Sequence, residues 1–310
     1  MKSFLNQTRN RTANFIHLLS KYISQGEINQ NSIIIAYYVL LSIFPIIIII
    51  GNVLPLFSID TKPIARYLEL IFPSQVSSLV MPIINALLKK HSSGFISLGI
   101  VVAIWSLSCL VNSIRLAANK IYGVDKQEKG KSWWNYLLAR TFTFALSVIL
   151  VVGFSVIIFI FTFGRQIMEF LAPIFNLSLW WVYKLENYRW PIIILMTVIV
   201  NLYINYVIPN IRVQKRVVWP GVWFTVISWS ALSYFFGLYL RQFGTRWENY
   251  GIVGSFIIFM LWLNVGSFLL LLGICINAAG DELKGRKIEY SQRPILRIFR
   301  KNKNYLNKLT

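Results

Sequence analysis

The chain has 310 residues, of which 56% are hydrophobic, 15% aromatic and only 14% charged, and it carries a net charge of +20. Its mean hydropathy is +0.59. A soluble domain carries about 25% charged residues, so the composition excludes an ordinary water-soluble fold and points to a membrane protein.

A helix needs roughly 20 mostly apolar residues to cross about 30 Å of hydrocarbon. The first element precedes any such run. Residues 1–32 are polar and basic, yet Phe15, Leu18, Leu19, Tyr22 and Ile23 recur at helical spacing. This pattern predicts an amphipathic helix in the cytoplasmic interface; the alternative is a disordered basic arm. Six apolar spans then follow: Ile33–Phe57, Gly94–Val111, Thr141–Phe163, Pro191–Ile208, Val217–Leu240 and Ile252–Ala278. The first is too long for a signal-peptide core and lacks a small-residue cleavage site, so it reads as a retained anchor. Bare backbone groups find no partner in lipid, and no alternating ten-residue strand pattern is visible, which leaves helices. The expected fold class is therefore all-α, a polytopic membrane protein with six transmembrane helices. Its segments are a cytoplasmic amphipathic N-terminus (1–32), a six-helix transmembrane domain (33–279) and a cytoplasmic polybasic tail (280–310).

Pro45 lies near the middle of the first span, where it removes a backbone donor and frees the carbonyl of Leu41; a kink is expected there, with Ser42 close enough to help. The first outer loop, Ser58–Ser93, carries two apolar stripes punctuated by Pro73 and Pro82. It reads as an amphipathic helical hairpin in the first extracytoplasmic loop. The third loop, Gly164–Trp190, holds Trp180, Trp181, Tyr183, Tyr188 and Trp190, which suit headgroup-level anchoring; a ligand cage is the alternative. From Ser291 onward the chain is rich in Lys and Arg, a tail attracted to anionic lipid.

Charge sets the orientation. Of the 31 basic residues, 22 fall on the side of both termini and 9 on the other. The positive-inside rule puts both ends in the cytoplasm. The net charge is thus read as topological rather than as a nucleic-acid footprint.

Little in the spans carries chemistry. None of the eleven acids falls within them, and both histidines, His17 and His91, lie outside. There is no nucleophile elbow, phosphate-cradling loop or zinc-protease motif. Cys109 and Cys275 sit in apolar spans and read as small core residues. No catalytic residue, metal site or cofactor is expected. What remains is polar and cationic. Asn112, Arg115 and Asn119 share one helix face at the cytoplasmic end of the second span. Asn201 and Asn205 repeat that spacing in the fourth, followed by Pro209 and Arg212; Asn264 and Asn277 lie in the sixth. Such groups are costly in hydrocarbon and should face the bundle interior. One reading is interhelical hydrogen bonding, with Arg115 and Arg212 snorkelling. The other is an interior groove of positive charge suited to an anionic headgroup. Gly251, Gly254 and Ser255 open the sixth span and would allow close helix approach.

Several blocks in one order carry a resemblance. Ala36-Tyr37-Tyr38-Val39-Leu40-Leu41-Ser42-Ile43-Phe44-Pro45 comes first. Ser113-Ile114-Arg115 with Asn119-Lys120-Ile121-Tyr122 comes second. Then follow Pro209-Asn210-Ile211-Arg212-Val213, Trp219-Pro220-Gly221 and Phe236-Gly237-Leu238-Tyr239. Tyr250-Gly251-Ile252-Val253-Gly254-Ser255 and the stretch from Leu271 to Ala278 complete the series. Over roughly residues 15–285 the chain resembles the YihY/BrkB family of bacterial inner-membrane proteins. The resemblance implies a six-helix protein of the plasma membrane with both ends cytoplasmic. The family has carried ribonuclease and virulence labels, and a role in moving lipids or envelope precursors has been entertained for it. Family members commonly carry a Glu before the last Asn; here that position falls at or near Cys275.

Together these features lead to the expectation of a non-enzymatic transporter or flippase-like protein for an anionic, lipid-linked or envelope-related substrate. Arg115 and Arg212 would pair with phosphate. Tyr37, Tyr38, Asn112, Asn119, Asn205, Gly254 and Asn277 would line the route, and Pro45 would supply the bend. The expected partners are anionic membrane lipids, not nucleic acid; homo-oligomers and envelope proteins stay open. The alternatives are a scaffolding membrane protein and, more remotely, a ribonuclease.

Overall fold

The computed structural model describes residues 2–53, 93–125, 189–248 and 251–290, together with Thr141 and Ala145. Six helices and a two-residue strand pair make up this part. They are α1 (Lys2–Gln25), α2 (Ile28–Val53), α3 (Ser93–Ile121), α4 (Arg189–Tyr206), β1 (Ile211–Arg212), α5 (Trp219–Glu248), α6 (Gly251–Leu283) and β2 (Glu289–Tyr290).

α2 packs along α3, and α6 packs against both α2 and α5; α4 lies on α5, and α1 lies across the ends of α6 and α3. The main core sits at one end of this bundle. It joins Ile28 and Ile35 of α2, Ile114, Ala117, Ala118 and Ile121 of α3, and Leu271, Ile274, Cys275, Ala278 and Ala279 of α6. The alanines let the helices approach closely at that end. Smaller clusters continue the seam, with Ala36 and Leu40 against Phe259 and Leu263, and Phe236 and Leu240 against Ile258. The outward faces keep large apolar side chains exposed, among them Ile227, Tyr234 and Phe235 of α5 and Ile193 to Leu195 of α4. So extensive an apolar surface suits hydrocarbon rather than water.

Two helical segments among the described residues are long and apolar enough to cross a membrane, Trp219–Leu240 and Phe256–Leu283; Ile28–Ile43 and Ile193–Tyr206 are shorter apolar helices. The third expected span lies outside the described residues, apart from helical Thr141 and Ala145. So do the outer hairpin, the aromatic third loop up to residue 188 and the tail from Ser291.

Three boundaries that bear on the site differ from the sequence reading. α2 starts at Ile28, five residues before the first apolar span, and runs through Pro45 as one helix. Ser42 Oγ donates to Tyr38 O at 2.7 Å, one turn back. α3 continues ten residues beyond Val111, because Arg115 and Asn119 are buried there instead of ending the helix in water. α6 continues to Leu283, so Asp281 and Glu282 belong to its last turn and not to a loose tail. The helix stops where Gly285 takes φ 66°. There Arg286 N bonds Asp281 O at 3.1 Å and Gly285 N bonds Glu282 O at 2.8 Å, the six-to-one and five-to-two pairing that closes a helix on glycine. Gly123 ends α3 in the same way at φ 69°.

The amphipathic first helix forms, but its apolar stripe meets protein. Phe15, Leu18, Leu19 and Ile23 pack against the main core and Tyr22 is buried in it. The all-α expectation also missed β1 and β2, which pair antiparallel with Ile211 opposite Tyr290 and Arg212 opposite Glu289. Two residues a side give no alternation long enough to read in sequence.

Candidate functional site: a polar joint at one end of the bundle

The described polar side chains gather where α3, the α4–α5 connection and α6 meet. On α3, Arg115 is only 2% exposed and is the bulkiest fully buried side chain among the described residues. Its Nη2 donates to Asn112 Oδ1 at 2.9 Å, one turn back. One turn onward, Asn119 Oδ1 accepts from Asn210 N at 2.8 Å. That bond holds the Pro209-Asn210 turn as the chain leaves α4. Asn210 thereby avoids the buried, unpaired N–H that would cost about 1–3 kcal/mol.

α4 contributes an amide ladder. Asn201 Nδ2 donates to Thr197 O and Asn205 Nδ2 to Asn201 O, both at 2.9 Å. This leaves Asn205 Oδ1 free to face α6, where it accepts from Asn277 Nδ2 at 2.8 Å. Asn277 Oδ1 in turn accepts from Gly221 N at 2.7 Å, in the first turn of α5. Four residues on, Asp281 Oδ1 accepts from Val217 N at 2.8 Å. The first N–H groups of a helix have no partner within it. One face of α6 therefore caps the entry to α5 from outside, and the Asp281 carboxylate sits at the positive end of its dipole.

Asp281 is fully buried and also ion-pairs with Arg286 at 2.8 Å. Its second oxygen has no hydrogen-bond partner among the described residues. Next to it, Arg216 Nη2 donates to Tyr122 OH at 3.0 Å and Nη1 to Tyr206 O at 3.1 Å, with the guanidinium 4.9 Å from the Tyr122 ring centroid. Burial pushes the Tyr122 hydroxyl's pKa up, and Arg216 opposes that push.

Glycine permits the joint. A Cβ on Gly221 would overlap Gly273 O, and one on Gly273 would overlap Thr225 Oγ1 and approach Gly221 O at 2.8 Å. α5 and α6 thus cross backbone to backbone, which shortens the reach of Asn277.

The structure brings together Asn112 with Arg115, and Asn205 with Asn277, and seats Asn119 on the adjoining turn. It does not bring Arg212 to Arg115: Arg212 is exposed on β1, where the ladder with β2 fixes the backbone. Tyr37 is 51% exposed and meets half-buried Tyr38 edge-on at 5.4 Å. Gly254 is buried near the opposite end of α6, 23 residues and so about 34 Å from Asn277 at 1.5 Å per residue. The Pro45 side chain lies outside the described residues.

Sequence reasoning missed Asp281, Asn210, Arg216 and Gly221 as members of this joint. Asp281 follows Asn277 by four, so helical spacing places both on one face once the helix is extended. Asn210 and Gly221 act through backbone N–H groups, which leave no mark in side-chain chemistry. Among the described residues no group of three or more His, Cys, Asp or Glu side chains comes together.

Comparison with known proteins agrees with the membrane character of the chain. A relative in Bacillus subtilis (strain 168), bearing the name ribonuclease-like protein YfkH, is 28% identical over 262 residues, covering 84% of this chain and 92% of the relative. A UPF0761 membrane protein of Xanthomonas campestris pv. campestris (strain B100) is 25% identical over 272 residues, covering 86% of this chain; the chain spans 60% of that relative's length. A UPF0761 membrane protein of Xanthomonas oryzae pv. oryzae (strain PXO99A) gives the same identity and coverage. No solved structure matches. The family model described as virulence factor BrkB matches residues 19–294, and the chain therefore belongs to the BrkB family of membrane proteins.

Proposed function

We propose that this membrane protein is a non-enzymatic transporter or flippase-like protein for an anionic, lipid-linked or envelope-related substrate. In this reading six helices cross the bacterial plasma membrane and both chain ends lie in the cytoplasm. The observation that carries it is the buried guanidinium of Arg115 on a mostly apolar helix. Ionisable side chains at membrane depth are rare and costly, and they commonly mark a substrate path. A guanidinium also matches phosphate in geometry and charge. Asn112 orients Arg115 from one turn away, so the group is preorganised.

Reconstitution into liposomes with fluorescent anionic and zwitterionic lipids tests this reading. The wild-type chain is expected to move anionic lipid faster than empty vesicles. Arg115→Gln should abolish the difference, and Arg115→Lys should restore part of it. No movement above empty vesicles across several headgroups overturns the reading.

A scaffolding role is the second reading, supported by a specific observation. Asn119 Oδ1 holds Asn210 N, Asn277 Oδ1 holds Gly221 N, and Asn277 bonds Asn205, as clamps between helices do. Under scaffolding, a correctly inserted Arg115→Gln protein retains its cellular role.

A further inference from the structure

The connection between α4 and α5 has a feature that the transport reading does not use. Lys215 takes φ 51°, a left-handed conformation that residues with a Cβ avoid. Its neighbours hold it there. Arg216 is fastened to Tyr206 O and Tyr122 OH, and Val217 N is fastened to Asp281. A strained lysine kept where glycine would be easier is a reason to look for a use.

Its surroundings point to one. Lys215 and Arg212 are both exposed. Trp219 opens α5 four residues later and is 53% exposed, with Trp223 one turn on at 48%. Exposed tryptophans at the mouth of a membrane helix sit at headgroup level. The cations just before them then lie where lipid phosphates lie. Glu289, opposite Arg212 in the ladder, is the exposed acid beside this patch; Lys284 and Lys287 are also exposed on the segment leading to β2. We propose that Arg212, Lys215 and Trp219 form a preorganised seat for the phosphate headgroup of an anionic phospholipid in the adjoining leaflet. Anionic lipid attracts juxtamembrane cations in general; a rigid loop beside a tryptophan makes the attraction local. The inference rests on membrane residence alone, so its failure and that of the transport reading are separable.

The test measures thermal unfolding of the full chain in nanodiscs of phosphatidylcholine with and without phosphatidylglycerol. Phosphatidylglycerol is expected to raise the wild-type midpoint by several degrees. An Arg212→Gln/Lys215→Gly double variant should lose more than half of that rise. Its midpoint in pure phosphatidylcholine should not fall, because glycine relieves the left-handed residue. Lys284→Gln/Lys287→Gln removes equal charge nearby and should keep most of the rise. Equal losses in the two double variants would reduce the effect to diffuse charge and overturn the seat. A full rise in Arg212→Gln/Lys215→Gly would also overturn it. So would a short RNA that reproduces the rise in wild type and loses it in that variant, since the patch would then belong to nucleic acid.

Discussion

Asn277 Nδ2 donates to Asn205 Oδ1 at 2.8 Å while its own Oδ1 accepts from Gly221 N at 2.7 Å, so one amide ties three helices together. Both side chains are fully buried. Asn277→Ala strands a buried N–H and a buried carbonyl oxygen, and it should destabilise the protein by about 1–3 kcal/mol. A double-mutant cycle with Asn205→Ala isolates the direct bond. Interhelical hydrogen bonds in membranes are worth roughly 0.6–2 kcal/mol, so a coupling near 1 kcal/mol is expected in mixed-micelle unfolding. A coupling near zero would mean that the two amides act independently.

The glycines near this amide divide by what surrounds them. Gly221→Ala and Gly273→Ala each force a methyl into backbone or into Thr225. Backbone cannot move aside without separating α5 from α6, so both should cost about 3 kcal/mol or more, at the upper end of overpacking effects. Gly237→Ala meets nothing within 4 Å. Removing a helix-interior glycine there should stabilise by roughly 0.5–1 kcal/mol. Midpoints measured side by side for the three variants test the close crossing: similar values for all would contradict it.

Much of the joint was legible in the sequence, in proportion to how far each residue acts through spacing. Asn112, Arg115 and Asn119 advertise one face by their three- and four-residue offsets, and the structure buries Arg115 and Asn119 on α3. Asn201 and Asn205 do the same on α4. Hydropathy falls at Asp281 and Glu282, so the sequence pattern ends the sixth span at Ala278. A buried carboxylate that caps another helix looks, letter by letter, like the start of a tail. Arg212 follows a run of polar span residues and so reads as interior, whereas a two-residue ladder with Glu289 leaves it exposed. Long-range pairing of that kind has no local signature.

The contact between α1 and the last turn of α6 should respond to alkali. Glu282 accepts from Lys21 Nζ at 2.8 and 2.9 Å and from Tyr22 OH at 2.5 Å. Burial, and then the bond to Glu282, push the Tyr22 pKa well above the usual 10. A raised value means that the folded state holds its proton when the unfolded chain has begun to lose it. The stabilisation is thus fully present below about pH 10 and declines as pH rises beyond it. Absorbance titration should show Tyr22 and Tyr122 un-ionised after exposed tyrosines have ionised. Tyr22→Phe should flatten the alkaline loss of stability. Lys21→Gln should cost less, at most about 1 kcal/mol, because that pair is partly solvated.

Asp281 separates capping from charge. Its Oδ1 serves Val217 N and Arg286 together. Asp281→Asn keeps an acceptor for Val217 N but gives up the ion pair with Arg286 and the favourable interaction with the α5 dipole. Arg286 retains solvent access, so this loss should stay near 1–2 kcal/mol. Asp281→Ala removes the acceptor as well, leaving Val217 N and a partly buried guanidinium without their partner, and should cost about 3–5 kcal/mol. Arg286→Gln leaves the fully buried Asp281 carboxylate without its counter-ion and should cost more than Asp281→Asn, about 3–5 kcal/mol. In an Asp281→Asn background, Arg286→Gln should then add little, since each removes the same pair. Equal losses for Asp281→Asn and Asp281→Ala would mean that charge, not the cap on α5, is what this carboxylate supplies.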